Sequence, residues 1–408
     1  MISGLIILLA YAKVSQQIGS YFNLLTPWFV GAFTKNIVVE LLYTFRIGGD
    51  GTDYSFFLIT LGNTVEVLSF LITYYYCKGI SVSLFRRVTP LYWRESMILI
   101  LATIFLFLPI YLEFGLDVIL DPRSVYLQTR TGYGLSYFLS AFLLRVSFVL
   151  VMFSLNNNWS KIVTAGLIFS IIGYCTGSKT VLFSFIVIVF IYWIKSTQFS
   201  LGLKSFVLLL VTAFFLLTTA IALLRPSTDT TEISKEMFFD ILLTYSDYNR
   251  NGQVLIDKEH KPQLGRIFLE DYFVSKIPRV LYPEKPRNFG SIALAEIYFP
   301  EWFETDTGAP SFGSGVAYAD FGEIFPLWLI LCGFIQGYFL KTIERSYNDF
   351  SNPYTFVLLL HFCGISLLSA GVGSFLFEMV IFMLLLSNLN NFNLCSFIFG
   401  KKTAPPAK

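Results

Sequence analysis

Long uninterrupted runs of apolar residues dominate the chain, and short polar segments separate them. A helix needs about 20 apolar residues to cross the hydrocarbon core, and lipid tolerates only segments that satisfy their own backbone groups. The pattern therefore predicts an all-α polytopic membrane protein with about eleven spanning helices. We place them near residues 2–12, 21–45, 55–77, 96–114, 135–154, 161–176, 180–195, 203–224, 324–340, 354–370 and 373–389.

The composition agrees with lipid as the environment. Hydrophobic residues make up 55% of the chain and charged residues 14%, against roughly a quarter charged in soluble domains. The net charge is +2, and no basic run is interleaved with aromatic residues, so nucleic acid is excluded as a partner. The two histidines, His260 and His361, are far apart in sequence, and the cysteines lie within or beside apolar runs. We expect no metal centre and no cofactor.

The lysine and arginine residues in the short loops indicate which side of the membrane each loop lies on, because cytoplasmic loops carry an excess of these residues. The richer side carries Lys13, Lys78, Arg86, Arg87, Arg94, Lys161, Lys195, Lys204, Lys341, Arg345, Lys401, Lys402 and Lys408. We divide the chain into N-terminal membrane helices (1–224), a large outer segment (225–321), C-terminal membrane helices (322–390) and a cytoplasmic tail (391–408). In a bacterium the outer segment is periplasmic or extracellular, and the membrane is the inner one.

The outer segment is too long for an idle connection, so we expect function there. Apolar residues recur at helical spacing over 233–245 and again from Leu264 through Ile267 and Phe268 to Ile277. Both stretches predict amphipathic helices at the membrane surface. Five prolines, at 278, 283, 286, 300 and 310, indicate irregular backbone between and after them.

The strongest local signal is a cationic, proline-rich stretch at 276–287, which contains Lys276, Arg279, Lys285 and Arg287. Its prolines favour an extended backbone, so these side chains can converge on one anionic group such as a diphosphate. The alternative is a basic rim that contacts anionic lipid head groups.

Charges inside apolar runs are a second signal, because a charge in the bilayer is costly unless it faces a cavity or a partner. Arg145 and Glu66 both fall in mid-span. They form either a structural ion pair or part of a site. Lys179 follows Gly177 and Ser178, where it either binds an anion at the outer surface or belongs to a tight helix-capping turn.

Carboxylates and aromatic residues occur together around the outer segment, as they commonly do in sugar sites. They are Asp50 and Asp53 in the first outer loop, then Glu296, Tyr298, Glu301, Trp302, Asp306, Tyr318, Asp320 and Glu323. A carboxylate here could accept hydrogen bonds from sugar hydroxyls or act as a base. The alternatives are a solvated Gly/Asp turn for Asp50 and Asp53, and membrane anchoring for the aromatic residues.

Four of these features together resemble the bacterial oligosaccharide repeat-unit polymerases of the Wzy type. They are the many-helix hydropathy with one dominant late outer loop, the Ile-Pro-Arg-x-Leu-x-Pro-x-Lys-Pro stretch at 277–286, the Tyr-Ala-Asp-Phe-Gly sequence at 318–322, and Gly177-Ser178-Lys179. Many members of that family have an acid where this chain has Val316, and arginine is more usual at the position of Lys179.

The resemblance implies a GT-C-like bundle and a metal-independent glycosyltransferase that builds O-antigen or capsular polysaccharide. Its substrates would be oligosaccharides linked to undecaprenyl diphosphate in the lipid bilayer. It leaves open whether a chain-length regulator binds. The implied diphosphate-binding residues are Arg279, Lys285, Arg287, Arg225, Arg266, Lys179 and Arg145. The candidate bases are Asp320, Glu323 and Glu296, in that order, and the candidate sugar-binding residues are Tyr318, Tyr298, Trp302, Asp50 and Asp53.

Three other functions stay open at this stage. A ligase that transfers finished glycan to lipid A core would have the same helices and outer loop, and sequence does not separate the acceptors. A flippase or exporter would bind the same lipids without chemistry, but such proteins usually show paired halves and we find no internal repeat. A structural scaffold would leave the clustered cations unexplained.

Overall fold

The computed structural model describes residues 2–33, 51–82, 92–129, 133–176, 179–197, 248–274, 281–286, 288–301 and 310–363, with residues 200, 202–208, 212 and 277. Within these residues the regular structure is helical. The predictions that fall on 34–50, 213–247, 302–309 or 364–408 lie outside the described residues.

The helices are numbered here in chain order. They are α1 Ile2–Ile18, α2 Thr26–Ala32, α3 Asp53–Tyr76, α4 Tyr92–Phe114, α5 Asp117–Leu120, α6 Pro122–Thr129, α7 Gly134–Ser154, α8 Trp159–Tyr174, α9 Lys179–Thr197, α10 248–257, α11 Arg266–Tyr272, α12 Gly290–Tyr298, α13 Gly315–Phe321, α14 Phe325–Phe350 and α15 Pro353–Phe362. A 3₁₀ turn, Gly322–Ile324, joins α13 to α14.

Three of the helical segments are long and apolar enough to cross a membrane: Asp53–Tyr76, Tyr92–Phe114 and Gly315–Asp349. Shorter apolar helices lie at Leu139–Ser154, Trp159–Tyr174, Ser184–Thr197 and Pro353–Phe362. The all-helical membrane class predicted from the sequence is thus confirmed, while the number of eleven spans and the bundle type stay predictions. The first helix is longer than expected, because α1 continues to Ile18 rather than ending near residue 12.

The chain forms two compact units. One comprises Met1–Cys77 with Gln198–Tyr338, and the other Lys78–Thr197 with Phe339–Lys408.

In the first unit, glycines let the first half of α14 pack directly on α3. A Cβ at Gly333 would overlap the Glu66 carbonyl oxygen, and one at Gly337 would lie 2.5 Å from the carbonyl oxygen of Phe70. This Gly-x-x-x-Gly contact brings two helix backbones together, as small residues do in membrane helix pairs.

The outer segment packs on the ends of α3 and α14. One apolar core contains Leu58, Ile59, Leu255, Ile256, Ile267, Leu294, Ala295, Phe312, Tyr318, Ala319, Phe325 and Leu329. These residues come from α3, α10, α11, α12, α13 and α14, with Phe312 from the chain before α13. Helices α10 and α13 also touch backbone to backbone, because a Cβ at Gly315 would lie 2.5 Å from the Cα of Gly252.

Of the two predicted amphipathic helices, 233–245 lies outside the described residues. The second exists as α11 but is shorter than the pattern predicted. Ile267 is buried, whereas Leu264 precedes the helix, has φ +53° and is 86% exposed. Ile277 follows the helix. Part of the apolar periodicity therefore belongs to turns, and residues 281–286 in the proline-rich stretch also lie in turns and irregular chain, as predicted.

The second unit brings together several cations that the loop count assigned to one side. Lys195 and Lys341 both contact the carboxylate of Glu344, at 3.3 Å and 3.4 Å. The Arg345 guanidinium donates to the Gly79 carbonyl at 3.1 Å. The end of α9, the second half of α14 and the chain after residue 77 thus meet at one end of this unit.

The glycine contact between α3 and α14 predicts the effect of a single methyl group. Gly333→Ala should lower the melting temperature of the purified protein in lipid nanodiscs by several degrees, since overpacking typically costs roughly 1–3 kcal/mol. Gly134→Ala is the matched control, because a Cβ at Gly134 meets nothing within 4 Å. Equal melting temperatures for the two variants would contradict the close packing.

Candidate functional site

A cleft of about 510 Å³ with both polar and apolar lining opens in the first unit. It is lined by Gly51, Arg250, Asn251, Gln253, Val254, Asp257, Lys258, Phe299, Glu301 and Pro310. The lining thus combines two cations, two carboxylates, two side-chain amides and one aromatic ring. Gly51 lies just before α3 begins, so the cleft is at the outer end of that candidate span under the predicted orientation.

Helix α10 supplies five of the ten lining residues. Arg250, Gln253 and Asp257 follow one another at intervals of three and four residues, so they lie on one face. The apolar residues Leu255 and Ile256 are buried in the core described above. Asn249 also fixes the helix, because its Oδ1 accepts a hydrogen bond from Asn63 Nδ2 of α3 at 3.2 Å.

Gln253 is the unusual residue of the cleft. Its side chain is 4% exposed, and its Oε1 has no hydrogen-bond partner among the described residues. A Cβ at Gly51 would overlap this oxygen, so the glycine at position 51 makes room for it. Buried polar atoms are paired in the great majority of cases, and this acceptor, in the wall of the cleft beside Gly51, is an exception.

Two separate carboxylates are hydrogen-bonded at the start of α3. Thr52 donates through its hydroxyl to Asp257 Oδ1 at 2.6 Å and through its backbone N–H to Oδ2 at 3.3 Å. The Thr52 hydroxyl also caps α3 by accepting from Ser55 N. Two residues after Thr52, the hydroxyl of Tyr54 donates to Glu323 Oε1 at 2.8 Å. Glu323 is thereby held at the outer end of α3, and it is exposed.

His260 and Tyr298 form a second polar pair beside the cleft. The Tyr298 hydroxyl lies 2.8 Å from His260 Nδ1, and the Lys258 ammonium lies 5.5 Å from the Tyr298 ring centre. Burial lowers the pKa of His260, which keeps the imidazole neutral near pH 7. The predicted sugar-binding residue Tyr298 is therefore close to a cleft cation.

Asp320 has a position that favours a structural role over that of a base. It is 1% exposed, and its two carboxylate oxygens accept backbone hydrogen bonds from Ile267 at 2.9 Å and Phe268 at 2.7 Å. These N–H groups begin α11, so the carboxylate caps the helix and fixes it to α13. Among the three candidate bases, Glu323 is exposed and Glu296 accepts from Asn288 Nδ2 at 2.8 Å.

Two more carboxylates cap the next helix in the same way. Glu270 Oε2 accepts from Gly290 N at 2.7 Å, and Asp271 Oδ1 accepts from Ser291 N at 3.0 Å. Gly290 has φ +58°, and a Cβ there would overlap Asp271. Burial and, to a smaller extent, the nearby carboxylates of Asp320 and Glu270 raise the pKa of Asp271 from 3.8 to about 6, although the hydrogen bonds from Ser291 lower it.

The cationic, proline-rich stretch is described only in part. Lys285 is 9% exposed, its Nζ donates to the Ile277 carbonyl at 3.0 Å, and it lies 4.7 Å from the Phe289 ring centre. Lys285 therefore links residue 277 of the stretch to residue 289 just after it. Arg266 is exposed and pairs with Glu270 at 2.8 Å. The positions of Lys276, Arg279, Arg287 and Arg225 lie outside the described residues.

Other predicted residues lie apart from the cleft or outside the description. Arg145 is buried in the second unit, where its Nε donates to Ser184 Oγ at 2.9 Å. Tyr318 is buried in the core, and Asp53 begins α3. Lys179 begins α9, but its side chain is not described, and Asp50, Trp302 and Asp306 lie outside the described residues. Among the described residues, no three potential metal ligands come together.

The sequence analysis missed α10 as the main wall of the cleft. Arg250, Asn251, Gln253, Asp257 and Lys258 were not singled out, because the apolar periodicity used to predict a helix ended at Tyr245. The signal was present as a run of polar residues, Asn-Arg-Asn-Gly-Gln at 249–253, in a chain that is 55% hydrophobic. The Gly-x-x-x-Gly contact at 333–337 was also overlooked.

One comparison with known proteins finds relatives of this chain. The chain is 28% identical over 396 residues to two proteins named O-antigen polymerase, from Salmonella typhimurium and Salmonella typhi, and the match covers 94% of this chain and 91% of each relative. No family model matches the chain, and no solved structure is similar to it. The resemblance to Wzy-type polymerases is thus confirmed by similarity over nearly the whole length.

The capping role of Asp320 predicts a stability effect for a minimal change. Asp320→Asn replaces an acceptor oxygen by an amide that cannot accept from both Ile267 and Phe268, which typically costs roughly 1–3 kcal/mol. We expect a lower melting temperature for this variant, whereas Glu323→Gln should melt close to the wild type because Glu323 is exposed. A normal melting temperature for Asp320→Asn would argue against the cap.

The raised pKa of Asp271 predicts a pH dependence of stability. A carboxyl whose folded pKa lies above its unfolded pKa contributes stability that is complete below the unfolded value, 3.8, and is lost as the pH rises through about 6. The melting temperature should therefore fall more between pH 5 and pH 7.5 in the wild type than in Asp271→Asn, which does not titrate. Parallel pH profiles would rule out this contribution.

Proposed function

We propose that this protein is a polymerase in O-antigen synthesis, which joins lipid-linked oligosaccharide repeat units in the bacterial inner membrane. The observation that carries the proposal is the similarity over 94% of the chain to proteins named O-antigen polymerase. The cleft supports it, since cations, carboxylates, amides and an aromatic ring suit a hydroxyl-rich glycan. The orientation from loop charges favours an active face on the periplasmic or extracellular side.

The reaction proposed is transfer of a growing glycan from undecaprenyl diphosphate to the non-reducing end of a new lipid-linked repeat unit. A hydroxyl oxygen of the acceptor sugar forms a bond to the anomeric carbon of the donor. The bond from that carbon to the diphosphate oxygen breaks, and the diphosphate leaves with the electron pair. The hydroxyl proton passes to a carboxylate base. No metal or cofactor takes part in this scheme.

Glu323 is the base that the geometry favours. It is exposed, whereas Asp320 is 1% exposed and has both oxygens engaged by backbone N–H groups. The hydrogen bond from Tyr54 holds Glu323 in place through one oxygen, Oε1. A base must be held within reach of the proton it removes, and a fixed, exposed carboxylate meets this condition. Asp320 then positions α11 and α13 around the site.

The leaving diphosphate requires cations, and the stretch at 276–287 is the proposed source. Arg279 and Arg287 are its main ligands in this scheme, because guanidinium groups bind phosphate oxygens bidentately. Lys285 is held by the Ile277 carbonyl and the Phe289 ring, so it stabilises the shape of the stretch and adds positive charge. Arg266, Arg225 and Lys179 are secondary candidates.

The test is made in a cell that produces the repeat unit of this protein and lacks its gene. Expression of the wild type should restore long glycan chains, while Arg279→Ala, Arg287→Ala and Glu323→Gln should leave single capped repeat units, a loss of at least tenfold in long chains. Chain length is measured by gel electrophoresis of the surface glycan, with membrane levels of each variant checked by immunoblot.

Lys261→Ala is the matched control. It removes an exposed cation from the same outer segment but outside the proline-rich stretch and the cleft, and chain length should stay normal. Single repeat units that persist with wild-type protein would contradict the polymerase proposal. Loss of glycan transfer to lipid A core without any change in the length of lipid-linked chains would instead favour a ligase.

A further inference from the structure

The balance of charge in the cleft indicates the class of its ligand. The lining contains two cations, Arg250 and Lys258, and two carboxylates, Asp257 and Glu301. The formal charge of the described lining residues is therefore close to zero. A diphosphate needs a net positive site, and the proposed function assigns the diphosphate to the cationic stretch at 276–287. The cleft is better suited to an uncharged ligand that both donates and accepts hydrogen bonds, which is the chemistry of sugar hydroxyls.

Gln253 adds an independent indication that a ligand enters. Its Oε1 is a buried acceptor with no partner among the described residues. An unpaired buried acceptor lowers the free energy of unfolding, so selection for stability alone would favour an apolar residue at position 253. A hydroxyl that donates to Oε1 would satisfy the group in the bound state.

Phe299 provides an apolar surface of fixed orientation. Its ring packs 5.8 Å from that of Phe312, which is fully buried in the core of the first unit. A pyranose ring presents C–H groups on its faces and hydroxyls around its edge, so it can lie on such a ring while its edge meets charged and amide groups. The cleft volume of about 510 Å³ falls within the range for small-molecule sites.

We infer that this cleft binds the terminal sugars at the non-reducing end of the acceptor repeat unit, with Gln253, Asp257 and Glu301 accepting hydrogen bonds from hydroxyls and Arg250 and Lys258 donating to oxygens. The inference rests on the proposed function. Asp257 accepts a hydrogen bond from Thr52, and Glu323 accepts one from Tyr54, both at the start of α3. The cleft and the proposed base therefore lie at the same end of this helix.

The experiment uses the full chain in lipid nanodiscs and the free repeat-unit oligosaccharide, released from its lipid by mild acid. Gln253→Met replaces the amide by an apolar side chain of similar size. It should weaken binding in calorimetric titration at least tenfold while the melting temperature stays equal to the wild type or rises. A purely structural role for Gln253 would lower the melting temperature instead.

Two further variants complete the comparison. Glu301→Gln should weaken oligosaccharide binding as well, because Glu301 lines the cleft and is exposed. Gln263→Met is the matched control, since Gln263 lies in the same outer segment and outside the cleft, and its side chain bonds only the Lys261 carbonyl at 3.1 Å. Its affinity should remain within twofold of the wild type.

Two other probes separate the cleft from an anion site and the acceptor from the donor. Inorganic pyrophosphate should bind equally to the wild type, Gln253→Met and Glu301→Gln. An oligosaccharide from which an exoglycosidase has removed the non-reducing terminal sugar should bind the wild type at least tenfold more weakly than the intact one. Equal binding of trimmed and intact oligosaccharide would overturn the acceptor assignment.

The inference fails if the wild type does not bind the intact oligosaccharide, or if Gln253→Met and Glu301→Gln both bind it as the wild type does. It also fails if these two variants lose only the binding of pyrophosphate. This failure differs from that of the proposed function. If the wild type restores long chains in cells and the cleft variants bind oligosaccharide normally, only the cleft assignment is wrong. If the cleft binds oligosaccharide but the gene does not affect chain length, the polymerase proposal is wrong.

Discussion

The apolar core between the outer helices and the ends of α3 and α14 is the interaction on which the site depends. Ile59 and Phe325 come from the two long helices, and Leu255, Leu294 and Phe312 come from the outer segment. Burial of such side chains contributes roughly 1.5–3 kcal/mol each. The outer segment is thereby held as a packed layer, and the cleft residues of α10 acquire fixed positions relative to Gly51 and Glu323.

Close backbone approach makes this core possible. Gly252 and Gly315 meet at the crossing of α10 and α13, and Gly333 and Gly337 let α14 lie directly on α3. Any larger side chain at these points would separate the helices and open the layers between them.

The carboxylates in and beside the outer segment fall into two groups with different roles. Asp320, Glu270 and Asp271 accept hydrogen bonds from the first N–H groups of α11 and α12, so they fix these helix ends. Asp257 and Glu301 are exposed in the lining of the cleft, and Glu323 is exposed near the outer end of α3. A buried carboxylate whose two oxygens are engaged by backbone donors cannot be reached by a substrate hydroxyl, whereas an exposed one can. This distinction moves the proposed chemistry from Asp320 to Glu323.

The sequence by itself determined the class of the protein, because long apolar runs permit only helices in lipid. The size of the outer segment, with its prolines and clustered acids, predicts that the chemistry lies there. Tertiary structure decided which carboxylate is buried and which is exposed to solvent, because Asp320 and Glu323 are only three residues apart and differ in what packs against them. It also decided that Gln253 lies beside Gly51, about 200 residues earlier in the chain, since contacts between distant segments depend on packing that no local pattern encodes.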